Sequence, residues 1–136
     1  MNFERIQNLL IQHEGERLKV YRDSKGILTI GIGRNLENKG ISRIESRFLL
    51  QNDISDHIFK LETYYPWFTN LDETRQCVLI DMCHQLGIRG LSLFKNFLAA
   101  MEAEDYRRAS SEMLDSKWAR EDSPKRAREL AQMIDM

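Results

Sequence analysis

Cysteine, proline and charge of one sign are all scarce in this chain, and each scarcity removes a class of protein. Two cysteines in 136 residues cannot build a disulfide framework. Cys77 and Cys83 fall six apart in a segment that reads as helix, which rotates them by about 240° and makes a bridge unsuitable; they read as free, buried thiols of a reducing compartment. The three histidines, His13, His57 and His84, are scattered. No Cys/His grouping has zinc-site spacing, so no structural metal is expected. Twenty basic residues against twenty-one acidic ones leave a formal net charge of -1. That balance excludes a nucleic-acid or membrane-surface binder by bulk charge. Long apolar runs are missing too: Leu9-Leu10-Ile11 is too short for a signal-peptide core, and nothing approaches the ~18 residues of a membrane span. The chain is expected to carry no export or anchoring device and to have no stable membrane association.

What remains is the composition of an ordinary folding domain, 42% apolar and 30% charged. Phe3, Ile6, Leu9, Leu10 and His13 recur at helical spacing and predict an amphipathic helix over the first dozen residues, ending at His13-Glu14. Val20-Tyr21 and Ile27-Leu28-Thr29-Ile30 are β-rich, with the turn signal Asp23-Ser24-Lys25-Gly26 between them, and predict a hairpin bent by Gly31 and Gly33. Ser42 with Glu45 three residues on is a capping box that opens a helix of about 22 residues, about 33 Å long, stopped by Pro66. Its apolar residues Ile44, Phe48, Ile54, Ile58, Leu61 and Tyr65 keep roughly to one face. Asp72 is the N-cap of a further, apolar helix through Val78, Leu79, Met82 and Leu86, closed by Gly87. Helical segments are expected over Leu91–Met101, Glu104–Asp115 and, after Ser123-Pro124, Pro124–Ile134. The order of elements predicts a mostly helical α+β fold in one domain over residues 1–136. A small β lobe spans residues 15–43 and a connecting helix 44–65. Residues 1–13 with 66–136 form the helical lobe.

Chemistry concentrates around the first helix end and the hairpin. Glu14, Asp23 and Thr29 supply two carboxylates and a hydroxyl, the types that glycosidic hydrolysis needs: an acid for the leaving oxygen and a held water on the other side of the ring. On residue type alone the alternative prevails, because a lone carboxylate pair nine residues apart is usually a solvated surface pair. Between Tyr106 and Arg128 seven basic residues face four acidic ones, which suits either an anionic polymer or a solvated helical face.

The pattern as a whole resembles the phage T4-type lysozymes, glycoside hydrolases that include many endolysins. It runs through Glu14-Gly15, Tyr21-x-Asp23, Gly26 and Thr29-x-Gly31-x-Gly33. Downstream it continues through Asp81-Met82-Cys83-His84-Gln85-Leu86-Gly87, Phe94-Lys95-Asn96, Ser116-Lys117-Trp118 and Ser123-Pro124-Lys125-Arg126-Ala127. The resemblance implies a two-lobed fold and hydrolysis of the β-1,4 bond between N-acetylmuramic acid and N-acetylglucosamine in peptidoglycan, with inversion and without a cofactor. It assigns Glu14 as general acid, Asp23 as the residue that stabilises positive charge or helps activate water, and Thr29 as the holder of that water. Gly33, Gln85, His84, Arg126 and Phe97 follow as candidate substrate contacts, with Arg126 matching an arginine that faces the glutamate. His84 is read at least equally as an ordinary residue at the end of a core helix, Phe97 more readily as packing, and Trp118 as core.

Two departures stand out. Arg34 follows Gly33 where relatives often have histidine, so an ion pair of the family is absent or replaced, and the loop from Asn35 to Ile41 is short. The implied partner is a holin, which would release a monomeric enzyme from the host cytoplasm to the wall. The competing reading is a peptidoglycan-binding module on the same fold with impaired turnover.

Overall fold

The computed structural model describes all of residues 1–136. Chain contacts divide it into two compact units, Met1–Leu49 and Leu50–Met136.

In the first unit, α1 (Phe3–Glu14) starts at Asn2, whose side-chain oxygen accepts the Arg5 N–H at 3.1 Å. It ends at Gly15, in the left-handed region at φ 72°, where the backbone N–H closes on the Ile11 carbonyl at 2.8 Å. Within this unit α1 buries none of its apolar residues. A three-stranded antiparallel sheet follows, in the order β1 (Arg17–Arg22), β2 (Leu28–Gly31) and β3 (Arg34–Asn35). The register sets Thr29 opposite Tyr21 on one side and Asn35 on the other, with an irregularity between Arg17 and Tyr21. The hairpin predicted from β-propensity is present; β3 is additional. Gly31 and Gly33, both at φ 68°, let the chain reverse into that two-residue strand.

The expected capping box forms. Glu45 N–H bonds to Ser42 Oγ at 3.1 Å, and Ser42 N–H returns to Glu45 Oε1 at 2.9 Å. It opens α2 (Arg43–Tyr64), which runs the predicted 22 residues. The face expected to be apolar is unevenly used: Leu61 is fully buried, whereas Ile44 and Phe48 are largely exposed. Arg34 holds Glu45 by two bonds, Nη1 to Oε1 at 2.9 Å and Nη2 to Oε2 at 2.7 Å. The arginine in place of histidine therefore makes an ion pair of its own.

The second unit holds the hydrophobic core. Asp72 caps α3 (Glu73–Ser92) by accepting the Arg75 N–H. Gly87 interrupts that helix at φ 75°, ψ 163°, but the chain resumes helical turns to Ser92 and does not end there as expected. The following helices are α4 (Lys95–Glu102), α5 (Tyr106–Leu114) and α6 (Pro124–Ile134). Val78, Leu79 and Met82 from α3 meet Phe97 and Met101 from α4, Met113 from α5 and Ile134 from α6, all fully or almost fully buried. Each such side chain contributes roughly 1.5–3 kcal/mol of transfer free energy, which is why packing rather than propensity holds these short helices. Cys83 is buried as expected, but Cys77 is exposed, since six helical positions carry it off the face that packs. No single helix is long and apolar enough to cross a membrane.

Candidate active site

Glu14 is the last residue of α1, and the turn at Gly15 leaves its exposed side chain lying over the bend between β2 and β3. The contact is close. A Cβ built on Gly33 would stand 2.6 Å from Glu14 Oε2 and 2.8 Å from Cδ, so the carboxyl group occupies the space that any other residue at position 33 would fill. Gly33 thus serves the site as a missing side chain. This explains its place in the Gly-x-Gly pair better than turn geometry alone, because Gly31 has the same φ and open space around it.

Asp23 heads the hairpin turn. Its Oδ1 accepts two backbone N–H groups, from Lys25 at 2.8 Å and Ile27 at 2.9 Å, while its own N–H donates to the Ile27 carbonyl at 2.9 Å. The carboxylate is therefore fixed in direction by one oxygen, leaving Oδ2 without a protein partner. Thr29 is the one buried polar residue, 4% exposed. Its hydroxyl donates to the Ile27 carbonyl at 2.8 Å, so the lone pairs of Oγ1 are directed away from that bond and can accept from a water. Asp23 and Thr29 are both tied to Ile27, one through its N–H and the other through its carbonyl. Beside them the Arg17 guanidinium stacks on the Tyr21 ring at 4.4 Å.

The remaining candidates lie in the second unit. Arg126 Nε donates to Asp81 Oδ1 at 2.7 Å, an ion pair only half exposed. Both residues line a shallow cavity of about 300 Å³ with His84, Ile80 and Ile54. Gln85 has its amide committed: Oε1 accepts the indole N–H of Trp118 at 2.9 Å, and Nε2 donates to Ser123 Oγ at 2.7 Å. Trp118 itself is buried, as expected of a core ring. Phe97 takes the packing reading, 1% exposed and edge-on to Phe94 at 6.4 Å. Other residues of the basic stretch are spent on neighbours, Arg120 on Asp115 and Arg108 on Glu112, which favours the solvated helical face.

Sequence reasoning passed over three features. Asp81 stands in the sequence only as part of a motif, although an acid four positions before Gln85 on the same helix is a natural partner for a downstream arginine. The spacing of Glu45 from Ser42 signals a cap and gives no sign of its second partner, Arg34. Most notably, His57 Nε2 lies 2.9 Å from His84 Nδ1, and His57 Nδ1 lies 3.7 Å from Cys83 Sγ. Only the recurrence of histidine on two separate helices hinted at that cluster.

The sequence profile of the family described as phage lysozyme matches residues 11–132. Two relatives from Dictyostelium discoideum bear the names probable T4-type lysozyme 1 and 2. The first is 28% identical over 159 aligned residues, covering 96% of this chain and 93% of the relative; the second is 30% identical over 151, covering 90% and 88%. A third relative, the pre-baseplate central spike protein Gp5 of Enterobacteria phage T4, is 28% identical over 141 residues, which span 83% of this chain and 24% of that protein. With nearly its whole length matched, the chain belongs to the phage lysozyme family of glycoside hydrolases.

Proposed function

We propose that this protein is an inverting muramidase that cuts the β-1,4 bond between N-acetylmuramic acid and N-acetylglucosamine in peptidoglycan. The observation that carries the reading is the pairing of Asp23 and Thr29 about Ile27: a carboxylate with one free oxygen and a buried hydroxyl with free lone pairs, on the same strand end. A water between them is oriented by two acceptors, with its own lone pair left for attack on the anomeric carbon. Asp23 takes the water's proton as it attacks, and Glu14 gives one to the departing oxygen. Attack from the side opposite the leaving group inverts the anomeric carbon. Within the first unit, Gly33 leaves room for backbone to approach a sugar. Within the second, the exposed ring of His84 and the Arg126 guanidinium are donors suited to glycan hydroxyl and acetamido groups. Gln85 acts through Trp118 and Ser123 and holds the wall on which they stand.

The enzyme works as a monomer without cofactor, and in a phage setting a holin gives it access from the host cytoplasm to the wall. The test is clearing of a peptidoglycan suspension by wild type and Glu14→Gln, with reducing ends measured in the same tubes. Loss of both signals in a folded Glu14→Gln protein is expected. Retained binding by the wild type with no reducing ends released would instead identify a binding module.

A further inference from the structure

His57 and His84 face each other from α2 and α3, both in the second unit. Their rings meet edge to face, with centroids 5.1 Å apart and planes inclined by 75°. Two neutral imidazoles 2.9 Å apart share one proton: one nitrogen donates and the other accepts. The direction is set from the far side. Cys83 is buried, and burial pushes its thiol pKa up, so it keeps its proton and has one S–H to place. The imidazole nitrogen is a far better acceptor than sulfur, so the thiol donates to His57 Nδ1 at 3.7 Å. His57 then carries its hydrogen on Nε2 and donates to His84 Nδ1. His84 in turn carries its hydrogen on Nε2, which has no hydrogen-bond partner in the chain, and this residue is exposed and lines the cavity it shares with Arg126.

We infer that His57 is a positioning residue that, backed by Cys83, locks His84 into the Nε2–H tautomer so that it presents a hydrogen-bond donor to an acceptor oxygen of the glycan. The inference rests on the hydrolase reading above. It deepens that reading by giving His84 one polarity: a donor matched to an acetamido carbonyl or a hydroxyl lone pair. Reversing the chain would require N–H···S in place of S–H···N and would turn a bare nitrogen outward.

The experiment uses the full chain with 15N-labelled histidine. Long-range proton–nitrogen spectra at neutral pH read the tautomer of each ring, and steady-state release of reducing ends from soluble glycan oligomers reads KM and kcat separately. In wild type, His84 is expected as a single Nε2–H species. His57→Leu frees the ring to average between tautomers and raises KM roughly fivefold, the worth of one neutral hydrogen bond, with kcat little changed. His57→Gln, which keeps an N–H donor at the same reach, restores both the single tautomer and KM. Tautomer averaging at His84 in the wild type, or a His57→Leu protein with a normal KM, overturns the inference. So does a His57→Gln protein that behaves like His57→Leu, since the defect would then be one of packing. Reducing-end release by the wild type separates the two claims: if the folded wild type releases none, the hydrolase reading falls, while the spectra still decide whether His57 fixes the tautomer of His84.

Discussion

Replacing Gly33 by alanine separates the chemistry of the site from the stability of its lobe. Two effects act at this position. The backbone at φ 68° is a left-handed conformation that costs an L-residue about 1–2 kcal/mol. The new methyl group would also stand 2.6 Å from Glu14 Oε2, and ordinary contact needs roughly 3.4 Å or more. The carboxyl must therefore retreat by the better part of an ångström. Because it is the free end of a flexible, exposed side chain, that retreat costs little stability; under the proposed mechanism it moves the proton donor off the glycosidic oxygen. A displacement of this size lowers rate by about 10²-fold, or about 2.7 kcal/mol of transition-state stabilisation.

Gly31 provides the control, since it has the same φ and nothing within 4 Å of a built Cβ. Gly31→Ala and Gly33→Ala should lose similar stability by thermal denaturation, and only Gly33→Ala should lose most of its reducing-end release. Equal activities would refute the argument, as would a thermal midpoint for Gly33→Ala far below that of Gly31→Ala, because the Glu14 contact would then be structural.

Phe97→Ala should cost about 3–5 kcal/mol, enough to lower the thermal midpoint by on the order of 10 °C, while Phe97→Leu should fold and keep its KM; a stable Phe97→Leu protein with a strongly raised KM would return Phe97 to the substrate. The ion pair with Arg34, reinforced by the Ser42 cap, holds the Glu45 carboxyl at about 2 against an ordinary value near 4.5. A depressed carboxyl pKa stabilises the folded state above the unfolded value and ceases to do so as pH falls through the folded one, so this contribution is full above about 4.5 and gone below about 2. The difference in thermal midpoint between wild type and Glu45→Gln should be constant near neutrality and shrink across that window; a difference that persists at the acid end would assign the effect to packing.

Local signals were legible in the sequence, and partnerships across distance were not. Ser42 and Glu45 are three residues apart, and Asp72 and Arg75 likewise, so backbone geometry alone brings them together, and both caps appear as expected. The hairpin turn is local in the same way, because Asp23 reaches Lys25 and Ile27 without help from the rest of the chain. Gly87 shows where this logic stops. Its left-handed φ was foreseen, but whether a helix ends or merely kinks there depends on Leu91, whose complete burial draws the chain back into helical turns. Cys77 misled for a related reason: apolar density along α3 suggests a helix buried all round, whereas the core takes one face and leaves that thiol outside.

The candidate site divides along the same line. Residue types at a family spacing picked out Glu14, Asp23 and Thr29, but what each is free to do depends on bonds no spacing reveals. Asp23 has one oxygen left for chemistry because the other closes a turn, and Thr29 has lone pairs to offer because its proton is spent on Ile27. Gln85, equally polar and equally well matched to the family, is held at both ends of its amide by the Trp118 indole and the Ser123 hydroxyl, which fix its direction and leave it one N–H and one lone pair. Arg126 stands between these cases: one bond to Asp81, 45 residues away, fixes its Nε and leaves the other guanidinium N–H groups to engage a ligand. Unused valence therefore remains on every one of these polar groups, and what the sequence could not show is the direction in which each is held, since that is fixed by partners the spacing does not reveal.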